Sequence, residues 1–391
     1  MDIVVRVGPS RNRLCPVGAR RILSRTFDSF TPVLHRVWDA VRDGIALDDC
    51  EPAPIRMSGP RTVLPCTFDV TGLATAAVAS AHLAASRVLA AHQASADVAS
   101  VSVDSRAACA AFATERLFTP IGWERPAAWD EIAGNYRCAD GWIKLHTNYA
   151  YHRRAVEEVL NAHDRRAVAA RVADWGAQAL QTAVVGAGGA AAALHSNSTW
   201  LTTSAGAATR DAPVASTRWV DSSERPGPAG AVSLPYDGLK VLDLTRVIAG
   251  PVCTGFLASM GADVLRIDPP GFAEVAPLVP VTTAGKRTAA LDLGATQDRR
   301  IFERLVSEAD VVVCGLRADA LERLGYDETS LRALNSHLVL ANLNAYGWTG
   351  VETETAWGPA ETVGPAGHIA GVSPVSRHRA GPLGRDDPQF L

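Results

Sequence analysis

Residues 239–268 read LKVLDLTRVIAGPVCTGFLASMGADVLRID. The run KVLDLT at 240–245 is apolar, partly β-branched and short, which marks a buried strand. A Gly-Pro loop follows at 250–251. The small apolar residues at 252–260 suit a short helix, and 263–267 reads as a second strand. Two strands joined by a helix form a βαβ unit. The alternation continues downstream with a strand at 288–293, a helix at 297–308, a strand at 310–314, a helical region at 318–334 and a strand at 338–343. That rhythm predicts an α/β fold: a Rossmann-like, mostly parallel sheet with helices on both faces.

Upstream, residues 27–215 are Ala-rich and break into helix-like stretches, which predicts an α+β, largely helical small domain ahead of the sheet. Residues 70–89 form a helix of small side chains suited to close packing, with Asp69 at its N-terminal edge. A second helix is expected over 101–118. Residues 135–146, NYRCADGWIKLH, alternate around Asp140-Gly141, a step that favours a tight turn between two strands. Helices follow at 151–160 and 165–179. The glycines of VVGAGGAAAAL at 184–194 are followed by no lysine or serine at P-loop spacing, so they read as a loop. Residues 216–236, rich in Ser, Pro and Gly, read as a linker. The expected organisation is an N-terminal extension at 1–26, the small domain at 27–215, the linker at 216–236, the Rossmann-like half at 237–350 and a tail at 351–391. The tail holds six Gly and five Pro in 41 residues, without apolar period, and is expected to be disordered.

Composition narrows the partners. The chain of 391 residues is 47% hydrophobic and 20% charged, with a net charge of −3. Its basic residues are scattered, which argues against nucleic acid. Seven cysteines stand far apart with no CxxC pair, so neither a zinc site nor a disulfide framework is expected, and the histidines show no metal-ligand spacing. No stretch approaches the roughly 18 uninterrupted apolar residues of a membrane span, and the first residues lack a signal-peptide core. A cytoplasmic protein off the membrane is the expectation.

The segment at 239–268, together with AGKRTAALDL at 284–293, ADVVVCGLRADALERLGYD at 309–327 and LVLANLNAYGWTG at 338–350, resembles the family III CoA-transferases and the related α-methylacyl-CoA racemases. Residues 68–91 resemble the same family's Asp-led helix, and 135–146 its small-domain hairpin. Here the small-domain-like part comes first, as in rearranged or tandem members. Pattern and resemblance both fade after Gly350, which predicts an end altered by truncation or a frame change.

The resemblance implies the site. An aspartate attacks an acyl-CoA thioester, and CoA passes through an enzyme-bound aspartyl thioester to an acceptor acid; Asp69 is the residue in that position. Ile248, Ala249 and Gly250 lie where the family's loop meets the pantetheine, with Ile248 replacing a Gln that some members carry. Lys286 and Arg287 match a basic step beside the adenosine and phosphates, and Arg323, with Arg317 as a weaker candidate, matches a phosphate contact. Coenzyme A enters as acyl-CoA substrate, no other cofactor is implied, and a homodimer is expected. Racemisation needs an acid and a base flanking the α-carbon, and no convincing His partner is visible. An inactive CoA-binding remnant is the reading from another class. NAD is disfavoured because TRVIAGPVCTG lacks GxGxxG spacing.

Overall fold

The fold is seen in a computed structural model that describes residues 55–95, 97–203, 232–317 and 320–344, with shorter pieces at 2–4, 6–7, 37, 206, 215–217, 220–221, 367–369 and 388–390. Five apolar runs, Arg287–Ala290, Asp263–Asp268, Lys240–Leu244, Val311–Cys314 and Val339–Asn342, lie side by side in that order and all run parallel. Numbered along the chain the order is 3-2-1-4-5, with the reversal between Lys240–Leu244 and Val311–Cys314. Because side chains alternate along a strand, Val241, Val264 and Val313 face one side with Ala258 of the helix Ala249–Ser259. Leu242, Leu265 and Val312 face the other, with Phe302, Leu305 and Val306 of Thr296–Glu308 and Leu331 of Glu328–Leu334. Helices therefore cover both faces, as expected. The strand predicted at 288–293 stops at Ala290, because Asp292 folds the chain into a side-chain turn, accepting the Gly294 N–H at 2.9 Å.

The sheet gains two further strands from outside the Rossmann-like half. Asp2–Val4 pairs antiparallel with Val339–Asn342 and parallel with Ser216–Thr217. Arg6–Val7 pairs with Val220–Asp221. Pieces of the expected extension and linker are thus strands.

In the first part, the helix Val70–His92 packs on Met57, Val101, Val103, Ala108 and Cys109 and reaches Leu234 and Met260 of the sheet unit. Among the described residues it is the one helix long and apolar enough to cross a membrane. Ala74, Ala79, Leu83 and Ala85 are completely buried, as in a core helix. The helix expected at 101–118 is corrected at its start. Residues Val101–Asp104 form a strand parallel to Ile55–Ser58, because Val101 and Val103 alternate inward around exposed Ser102. Asp104 then caps Ser105–Phe112 by accepting the Arg106 N–H.

The hairpin forms as read: Gly134–Arg137 pairs antiparallel with Trp142–His146, which also pairs with Ala190–Ala193. Helices Ala150–Leu160, Arg165–Val172 and Ala177–Gly186 close a separate core around Ile143, Leu145, Val156 and Leu180. The helix expected over 165–179 is interrupted, because Asp140 of the hairpin turn accepts the Ala177 N–H at 2.8 Å and starts a new helix there. The glycines at 186–189 make the turn into Ala190–Ala193, with Gly188 at φ +81°.

The tail also departs from expectation. Gly367–Ile369 adds an antiparallel strand beside Val101–Asp104. Phe390 packs against the main core, and the Gln389 carbonyl accepts from Arg287. The rest of 351–391 lies outside the described residues.

Candidate functional site

In an open α/β sheet the ligand crevice lies beyond the carboxyl ends of the strands, where the strand order reverses. Here that point falls between the loop after Leu244 and the loop after Cys314. The two approach closely: a Cβ on Gly315 would stand 3.4 Å from Thr245 Cβ. The first loop, 245–250, is tightly folded. Val247 sits at φ +65°, a left-handed conformation that costs a β-branched residue conformational energy. A Cβ on Gly250 would meet Thr245 Cβ at 2.3 Å, so only glycine fits there. Ile248, 39% exposed, precedes Ala249–Ser259 and gives it no side-chain cap. The first N–H groups of an 11-residue helix thus stand at the crevice, and such groups favour an anion.

A buried charge cluster anchors this loop from below. Asp243, on the strand leading into it, accepts from both hydroxyls of Thr245 and Thr254 and from the Lys286 ammonium at 2.9 Å. Lys286 Nζ also donates to the Pro251 carbonyl at 2.9 Å and to Thr254 Oγ1 at 2.6 Å. Both charges are fully buried. Burial would raise Asp243, but Lys286, Arg266 and the two threonines outweigh it and hold its carboxyl below the ordinary value. Burial pulls Lys286 down despite Asp243.

A second chain of contacts leads outward from the next strand. Arg266 binds Asp268 through Nε at 2.8 Å and NH2 at 3.1 Å, and pairs with Glu274 as well. Burial pushes Glu274 up to about 7 despite that guanidinium. Asp268 in turn holds Arg246 at 3.5 Å, and Arg246 lies over the Phe272 ring at 3.8 Å. Phe272 meets Tyr149 of the small domain at 5.9 Å, and Tyr149 meets His152 at 5.2 Å. Burial, then the charges of His146 and Arg317, lower His152 to about 4.

Ile248, Ala249 and Gly250 lie on the loop and helix start after Leu244, and Arg317 lies on the loop after Cys314. Arg317 and Arg323 are exposed. Lys286 and Arg287 are placed differently from the outward-facing basic step implied by the resemblance. Lys286 turns into the interior on Asp243, and Arg287 forms a two-pronged pair with Asp263, both bonds at 2.8 Å. Asp69 is exposed and caps Val70–His92 by accepting the Gly72 N–H at 2.8 Å. A Cβ on Gly72 would lie 2.2 Å from its carboxylate, so the glycine makes room for it. Sequence reasoning passed over Asp243, Arg266 and Glu274, and read His152 as an ordinary helix residue. The acid within the apolar run KVLDL was the available signal, since a charge in a buried strand requires a partner. No cluster of His, Cys, Asp or Glu able to hold a metal occurs among the described residues.

Residues 236–362 match CoA-transferase family III, so the likeness extends past Gly350, where it had been expected to fade. Over 126 residues the chain is 37% identical to a succinyl-CoA:mesaconate CoA-transferase of Haloarcula hispanica, covering 28% of this chain and 32% of that protein. It is 35% identical over 127 residues to an acetyl-CoA:oxalate CoA-transferase of Acetobacter aceti, covering 30% and 33%. A formyl-CoA:oxalate CoA-transferase of Escherichia coli is 30% identical over 127 residues, covering 29% and 30%. The aligned part spans about a third of these relatives' length. Residues 236–362 are therefore the part of this chain that is similar to CoA-transferase family III.

Proposed function

We propose that this protein binds an acyl-CoA at the switch-point crevice and transfers CoA between carboxylic acids. The observation that carries the reading is the family III segment itself, folded so that its 245–250 loop and an uncapped helix start lie where the strand order reverses. Asp69 serves as nucleophile. Its carboxylate attacks the thioester carbonyl and expels the CoA thiolate, leaving a mixed anhydride. The thiolate then attacks the Asp69 carbonyl, releasing the donor acid and leaving an aspartyl-CoA thioester. The acceptor carboxylate takes the acyl position in reverse, regenerating Asp69. The Gly72 N–H, which donates to this carboxylate at 2.8 Å, holds it in place at the start of Val70–His92. A homodimer and a cytoplasmic location belong to the same reading.

The test is incubation with succinyl-CoA followed by mass spectrometry of the Asp69 peptide. A CoA adduct is expected in the parent protein and none in Asp69→Asn. Unchanged turnover in Asp69→Asn removes the nucleophile. CoA binding by calorimetry without turnover in the parent protein identifies a binding-only protein.

A further inference from the structure

The two described pieces of 351–391 sit on different parts of the molecule. Gly367–Ile369 pairs antiparallel with Val101–Asp104, and Val101 and Val103 pack with the helix Val70–His92 that Asp69 leads. Pro388–Phe390 lies instead at the amino edge of the parallel sheet, where Lys240, Asp263 and Arg287 open three neighbouring strands. Arg287, gripped by Asp263 through two bonds of 2.8 Å, turns NH1 to the Gln389 carbonyl. Arg304, on Thr296–Glu308, donates to the Pro388 carbonyl at 3.2 Å and is steadied by Glu308 at 3.1 Å. Bonds from a guanidinium are stronger than neutral ones, and here they hold two consecutive carbonyls. Phe390 packs against the main core, with the Lys240 ammonium over its ring at 5.3 Å. This seat is at the opposite edge of the sheet from the crevice. Residues 370–387 join the two pieces along the chain. A connection held at both ends keeps the parts it joins at high effective concentration for one another.

We infer that the segment anchored at 367–369 and 388–390 is a strap fastening the part that carries Asp69 to the sheet unit that carries the crevice. Arg287, Arg304 and Phe390 form its seat on the sheet unit. Arg287 is thus a positioning residue that holds the strap and not CoA phosphates. The consequence for catalysis rests on the CoA-transferase reading, which sets Asp69 against a thioester bound at the crevice; the fastening itself does not.

Hydrogen exchange read by mass spectrometry compares the parent protein with Phe390→Ala and with a chain ending at Asp387. Exchange is expected to speed up at Val101–Asp104, remote from the change, as well as at Arg287–Ala290, because freeing one anchor loosens the other. His368→Pro, which disrupts the other anchor, is expected to speed exchange at Arg287–Ala290 in turn. On the transferase reading, Phe390→Ala forms the Asp69 adduct from succinyl-CoA about tenfold or more slowly, while calorimetry finds its CoA affinity unchanged. Exchange that speeds up only beside each substitution overturns the strap. Loss of CoA binding in Phe390→Ala overturns it as well, since the segment would then belong to the core of the CoA half. An unchanged adduct rate alongside the remote exchange keeps the fastening and removes its link to Asp69. A parent protein that binds no CoA yet shows the remote exchange keeps the strap and sinks the transferase reading.

Discussion

Replacing Lys286 by Met separates two roles for this residue, an anchor beneath the loop and a contact for CoA phosphates. The ammonium makes three bonds, to Asp243, the Pro251 carbonyl and Thr254, and solvent reaches neither it nor Asp243. Removing the cation leaves a buried carboxylate supported by two hydroxyls, the Thr245 N–H and the charge of Arg266. Breaking a buried pair in this way costs about 3–5 kcal/mol. Asp243 responds by taking up a proton, so the sign of its pH dependence reverses. In the parent protein its depressed pKa contributes stability that is present above the unfolded value of about 3.9 and lost as pH falls through the native value. In Lys286→Met its pKa rises, and stability is lost as pH rises through the new value. The deficit against the parent should therefore grow from pH 4 to pH 7. Adding Asp243→Leu removes the stranded charge, leaving about 1–2 kcal/mol for the Thr245 hydroxyl and N–H without their acceptor, since Thr254 keeps the Gly250 carbonyl at 3.2 Å. Urea denaturation followed by circular dichroism across that range, with CoA calorimetry on each variant, reads all of this. A loss below about 1 kcal/mol in Lys286→Met together with abolished CoA binding would refute the reasoning, since the ammonium would then serve the ligand and not the loop.

Two further outcomes follow from the same region. Gly250→Ala places a methyl 2.3 Å from Thr245 Cβ, so the loop must shift; a cost of about 1–3 kcal/mol and weakened CoA binding are expected by thermal denaturation and calorimetry. Glu274, held at about 7, contributes stability present below the ordinary glutamate value and lost as pH rises through about 7, at most about 3 kcal/mol. Glu274→Gln should flatten the denaturation midpoint between pH 5 and pH 8, and an unchanged slope would place the titration elsewhere.

Much of the framework was legible because its determinants are local. The apolar runs at 240–244 and 263–268 flank a Gly-Pro loop and a small-residue helix, and no distant residue is needed to read them as βαβ. Asp140-Gly141 announces its own turn, and Asp69 its own helix cap. Val101–Asp104 was misjudged because its four residues adjoin a helix-forming alanine run, and only pairing with Ile55–Ser58 selects the extended form. The same holds for Asp2–Val4 and Gly367–Ile369, short strands made by partners hundreds of residues away.

The site divides in the same way. The sequence by itself determined the loop at 245–250, its glycine and the family segment around it, because chain geometry and spacing are properties of neighbouring residues. The tertiary structure decided where the charges go. Lys286 and Arg287 are consecutive, so their side chains leave opposite sides of the backbone, and what waits on each side, Asp243 or Asp263, is a matter of strand order. Tyr149 and Phe272, 123 positions apart in the chain, meet only because the small domain packs against the segment that follows the second strand of the sheet.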